Sequence, residues 1–116
     1  MSENTSSRVE EIVGGVAQAL KHLRPAEIVA HVPTGPPGIL FVFLFAITHA
    51  DPGAVEDLED RIGEALSDAD TRVSLWIASE AEWRRLREHP AHTARHVYLH
   101  GTSFGPMQWD RRSGAA

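Results

Sequence analysis

The chain of 116 residues contains no cysteine. That excludes disulfides, thiolate metal sites and cysteine nucleophiles. Lysine is almost absent: the 11 basic residues are ten arginines and Lys21, read here as the coding bias of a GC-rich bacterial genome. Long apolar runs are also missing. The longest, Ile39 to Ile47, falls far short of the roughly 20 residues a helix needs to cross a bilayer. The first residues, Met1 to Arg8, are polar and lack the apolar core of a signal peptide. A cytoplasmic protein with no membrane partner is therefore expected. Net charge is −5, so general nucleic-acid affinity is not expected either.

What is present suits one α/β domain with a real core. Residues 1–6 read as a disordered tail. Ser7-Arg8-Val9-Glu10 has the capping-box pattern, and Val9, Ile12, Val13, Val16, Leu20 and Leu23 follow helical spacing up to Pro25. Gly14-Gly15 within that helix suggests close packing against another backbone. Glu27 to Val32 reads as a strand. Pro33-Thr34-Gly35-Pro36-Pro37-Gly38 forms a stiff loop, and Gly38 to Thr48 a second strand. That strand has no polar alternation, so it should be central and covered on both faces. Asp51-Pro52 signals a helix start, followed by the apolar stripe Val55, Leu58, Ile62 and Leu66. Arg72 to Ala78 alternates as a strand. Ser79-Glu80-Ala81-Glu82 is a second capping box, opening a short helix that buries Trp83 and Leu86. Val97-Tyr98-Leu99 is expected to be extended, and residues 101–116 loop and tail. The predicted order is α-β-β-α-β-α-(β): a small mixed sheet of three to four strands packed with three helices, in one domain over 7–100.

Charge is unevenly placed. Residues 51–70 hold eight acids against Arg61, whereas residues 84–112 hold Arg84, Arg85, Arg87, Arg95, Arg111 and Arg112 against Glu88 and Asp110. These are either two solvated faces or the complementary halves of an interface. On the second reading Arg84, Arg85 and Arg87, with Trp109 from the apolar stretch Phe104 to Trp109, would meet a protein partner or a second copy.

Four of the seven histidines fall in His89 to His100, spaced three, four and four. On a helix, His92 and His96 would be an i, i+4 pair, the spacing of helical zinc ligands; on a strand, His96 and His100 share a face instead. His92, His96 and His100 are thus the candidate ligands for zinc or another divalent transition metal, with Glu88 a turn away from His92. A second candidate is a His49–Asp51 acid–base pair at the C-terminal end of the central strand, where α/β sheets favour ligands, with Ser74 or Ser79 as nucleophile. Thr34 to Gly38 could cradle phosphate, but its two prolines remove two of the N–H groups a cradle needs.

The element order and the stretch 54–104 resemble the minimal nucleotidyltransferase fold of the DNA polymerase β superfamily. An acidic helix leads into Arg72-Val73-Ser74-Leu75-Trp76-Ile77-Ala78-Ser79-Glu80-Ala81-Glu82-Trp83, like that family's last core strand and its capped helix. His96-Val97-Tyr98-Leu99-His100-Gly101 is similar to its closing segment. The family places Gly-Ser after its first core strand; here Pro33 to Gly38 stands there. The family also places Asp-x-Asp on the second strand and a carboxylate on the third, to hold two magnesium ions. Here Ile39 to Ile47 and Arg72 to Ala78 contain no acid. The resemblance implies a degenerate member without transferase activity: a non-catalytic interaction or regulatory domain needing no cofactor. The alternatives are a histidine-based metal-binding protein or metal-dependent enzyme, and a small-molecule hydrolase or transferase using His49.

Overall fold

A computed structural model describes residues 2–109. Helix α1 (Ser2–Ala19) is followed by a 3-10 turn (Lys21–Leu23), β1 (Pro25–His31) and β2 (Leu40–Thr48). Next come α2 (Glu56–Leu66), β3 (Thr71–Ser79), α3 (Glu80–Arg87), α4 (Thr93–His100) and β4 (Thr102–Phe104). The sheet order is β3-β2-β1-β4. β1 runs antiparallel to both β2 and β4, and β2 parallel to β3. The parallel pair needs a crossover, which α2 supplies. The α/β class, the mixed sheet and the expected sequence of elements up to α3 all hold.

One face of the sheet is closed by α1 and α2. Val9, Ile12, Val13, Val16 and Leu20 of α1, with Ile62 of α2, bury Ile28, Ala30, Val42, Leu44, Val73, Leu75 and Ile77. The stripe read on α2 is the one used: Val55, Leu58 and Leu66 pack beside Ile62. Gly15 admits the Leu66 side chain, whose Cδ2 would lie 2.9 Å from an added Cβ; the close approach expected at Gly14-Gly15 is to a side chain, not a backbone. The other face carries Val29, Phe45, Ile47 and Ala78 under Trp83 of α3 and Ala94 and Val97 of α4. Phe45 stacks on Trp76 with ring centroids 4.8 Å apart.

α2 also runs along the open edge of β3. The Val73 N–H donates to Ser67 Oγ (2.9 Å) and the Ile77 N–H to Glu59 Oε2 (2.6 Å). The Thr71 N–H donates to Asp68 Oδ1 (2.9 Å). At Gly63 an added Cβ would lie 3.0 Å from the Val73 carbonyl oxygen. Glu59 on the helix and Ser67 and Asp68 just past its end thus cap an edge that would otherwise pair with another strand.

Four expectations are corrected. The stretch 2–6 is the start of α1 rather than a tail, and Ser7 lies inside the helix. Residues 2–7 include no glycine or proline, and extending an existing helix carries no nucleation penalty. Asp51 does not cap α2. Its Oδ1 accepts from the Gly53 N–H at 3.0 Å, Gly53 has φ +76°, and the helix starts five residues later at Glu56. Val97 to Leu99 is helical, not extended: Ala94 and Val97 turn one stripe onto the sheet, and that packing overrides the weak strand preference of Val-Tyr. The position beside β1 is taken by Thr102–Phe104 instead, so residues after 100 extend the sheet. The tail assignment for 110–116 lies outside the described residues.

Candidate functional site

Helix α3 starts as the capping box requires: the Ser79 side chain accepts from the Glu82 N–H at 3.1 Å. Glu80 and Glu82 sit in its first turn and Arg84, Arg85 and Arg87 near its end, so all five charges complement the helix dipole. A turn at His89 to Pro90 reverses the chain into α4, where His92 Nδ1 accepts from the Ala94 N–H at 3.0 Å. Trp83, Ala94 and Val97 face inward, which leaves Tyr98 and Leu99 outward, 46% and 53% exposed. The Arg87 guanidinium lies over the Tyr98 ring, 4.4 Å from its centroid. The Arg95 guanidinium donates to the Arg87 carbonyl at 3.4 Å. Arg84 and Arg85 are exposed, and Arg85 lies 3.9 Å from Glu82. The outer surface of α3 and α4 therefore combines arginines with an exposed tyrosine and leucine. Tyrosine and arginine are the residue types that dominate binding energy at protein interfaces.

Trp109 does not join this surface. It is 8% exposed and packs with the core under α1, so its expected partner role is replaced by a structural one. Of the four partner-facing candidates, Arg84, Arg85 and Arg87 stand on the α3–α4 surface. Arg95 and Tyr98 join them: the extended reading of 97–99 already set Tyr98 on the outward side with His96 and His100, but it turned Leu99 inward, and the helix exposes Leu99 instead.

The histidines regroup. His92 is the N-cap of α4 and its Nδ1 is engaged. His96 and His100 are the i, i+4 pair, with ring centroids 5.8 Å apart. His31 from β1 joins them, 6.0 Å from His100. Burial lowers the His31 pKa below the ordinary histidine value, and the charges of His100 and His96 lower it further. Among the described residues, no three histidine or acidic side chains are placed to hold one ion. The set His92, His96 and His100 is not brought together as a ligand set. Sequence reading set His31 on the first strand near the His49 edge and did not join it to this cluster, because its side of the sheet depends on register.

His49 and Asp51 both lie at the C-terminal end of β2, but each has another contact. His49 Nδ1 is 3.4 Å from Glu80 Oε1 with its side chain 72% exposed, and Asp51 holds the Gly53 turn. Ser79 is occupied as the α3 cap. The loop before β2 makes a bond within itself, Ile39 N–H to the Pro36 carbonyl at 3.4 Å, and Gly35 packs against the Phe41 ring.

On the sheet face under α3 and α4, β2 and β3 bring Phe41 beside Arg72 and Phe43 beside Ser74. Phe43 meets Trp76 edge-on at 5.9 Å. Phe41, Phe43, Ser74 and Trp76 are half-buried. No acid stands on these strands, in positions where neighbouring parallel strands would bring carboxylates together. No family model, curated protein or solved structure matches this chain.

Proposed function

We propose that this chain is a non-catalytic interaction domain, laid out like a degenerate nucleotidyltransferase, that binds a protein partner through the outer surface of α3 and α4. The observation that carries this reading is the Arg87–Tyr98 stack with Tyr98 and Leu99 exposed beside Arg84 and Arg85. An aromatic ring held rigid by a guanidinium loses little entropy on docking, and the surrounding arginines favour an acidic counterpart.

The nucleotidyltransferase-like layout rests on the element order and on the adjacent parallel strands β2 and β3. The non-catalytic part rests on what those strands carry. A two-metal transfer site needs carboxylates to hold the ions that activate the attacking oxygen and stabilise the leaving one; Phe41, Phe43, Arg72 and Ser74 stand on these strands instead.

The test has two arms. Purified protein is incubated with Mg²⁺ or Mn²⁺, labelled nucleoside triphosphates and an acceptor protein, and no transfer above a boiled control is expected. Proteins co-purifying with the native chain are then compared with those retained by Arg84→Glu/Arg85→Glu and by Tyr98→Ala. Loss of the same partner from both variants is expected. Transfer activity overturns the non-catalytic part of the reading, and full retention by both variants overturns the surface.

A further inference from the structure

β4 pairs with β1 only from Ile28 to Ala30. His31 therefore lies just beyond its reach, at the point where the α4–β4 corner turns back onto the sheet. The corner is tight. The Gly101 N–H donates to the Val97 carbonyl at 2.8 Å, and a side chain at 101 would overlap the carbonyl oxygens of Val97 and Ala30. His100 closes α4 immediately before this glycine and His96 lies one turn earlier, so three imidazoles meet across the seam between β1 and the corner. A cavity of about 420 Å³ opens beside them, lined by Thr5, Ser6, Glu10, His31, His100 and Thr102 among others. It gives solvent protons a route to the seam.

We propose that His31, His96 and His100 form a pH-sensitive latch: neutral, they pack the α4–β4 corner onto the end of β1; protonated, they repel and release it. The charged and titratable groups facing His31 can be taken element by element. α4 contributes His96 and His100. α1 contributes Glu10, which lines the same cavity. β2 contributes Phe43, which pairs with His31 in register, and β4 contributes Thr102 and Phe104; none of these three carries charge. One carboxylate cannot offset three cations. His31 is half-buried whereas His96 and His100 are exposed, so the cost of acidification concentrates on His31, consistent with the direction of its shift. Histidine is the side chain that changes charge in this range without perturbation. Release would be a local opening, since α1 and α2 hold the rest of the core from the opposite face.

The test is amide hydrogen exchange on the full chain at pH 7.5 and 5.5, with rates corrected for intrinsic pH dependence. Residues 93–104 should exchange roughly tenfold faster at pH 5.5, while α1 and β2 stay unchanged. The variant His31→Asn/His100→Asn should show no pH effect in that segment, and His22→Asn/His49→Asn should keep it. An α4–β4 corner whose protection is independent of pH in the native chain overturns the latch. So does a pH effect that survives in His31→Asn/His100→Asn or disappears in His22→Asn/His49→Asn. If His31→Asn/His100→Asn does not fold, NMR titration of the native imidazoles decides. A depressed His31 midpoint coupled to His96 and His100 is expected; three independent titrations at the ordinary histidine value overturn the proposal.

Discussion

The two faces of the sheet are covered by helices of unequal length. On one, α1 has 18 residues and α2 has 11, about 27 and 17 Å at 1.5 Å per residue. On the other, α3 and α4 have 8 residues each, about 12 Å apiece. The nine-residue strand β2 is about 30 Å long. Two short helices cannot shield that length, so the face they cover is closed at Phe45 and Ile47 and half open at Phe41 and Phe43. The longer helices on the first face bury Val42 and Leu44 completely. One layer holds the fold together. The other is less firmly anchored and carries both the arginine–tyrosine surface and the histidine seam.

The sharpest way to break this comparison uses one residue type along one strand. Phe45→Ala should cost about 3–5 kcal/mol, because Phe45 is fully buried against Trp76 and Trp83. Phe41→Ala should cost only about 1–2 kcal/mol, since partial burial forfeits less on truncation. Equal losses in a denaturant titration would mean that the second face is closed along the whole of β2 and not half open at Phe41. Gly101→Ala comes next, at roughly 2 kcal/mol, because the added methyl meets two carbonyl oxygens that must move. Ser79→Ala should cost about 1 kcal/mol, the value of a lost N-cap; no change in the unfolding midpoint would show that α3 is held by Trp83 alone.

The smallest effect is in pH dependence. In the folded chain His31 resists protonation, while the unfolded chain takes that proton near the ordinary histidine value, about 6.5. Its contribution to stability is therefore fully present above that value and is lost as pH falls through and below it. His31→Asn should flatten the stability profile between pH 7 and 5. A profile unchanged by the substitution would detach His31 from acid sensitivity.

Periodicity made the first face legible from sequence. The stripes on α1 and α2, and the alternation in β3, place nine of the 16 buried residues of the larger cluster. The Ser79 box worked because its bond is local. The second face was harder to read for a physical reason. Val97-Tyr98-Leu99 favours a strand locally and is helical because Ala94 and Val97 pack onto the sheet, a tertiary contact no window of neighbours reveals. The same misreading hid Leu99 as a surface residue. His31 joined the histidines through strand register, and Trp109 entered the core through a long-range contact. Asp51 holds the turn at Gly53 and not the helix it was expected to cap. Arg84, Arg85 and Arg87 were legible as a charge cluster and stay on the surface where that reading placed them.

The three tryptophans report both faces and allow the most direct measurement. Trp83 and Trp109 are 4% and 8% exposed, and Trp76 is half-buried on the partly covered strands. In variants retaining one tryptophan each, with the others changed to phenylalanine, acrylamide should quench Trp76 several-fold more efficiently than Trp83 or Trp109. Quenching of Trp76 as weak as that of Trp83 would contradict the unequal covering of the two faces.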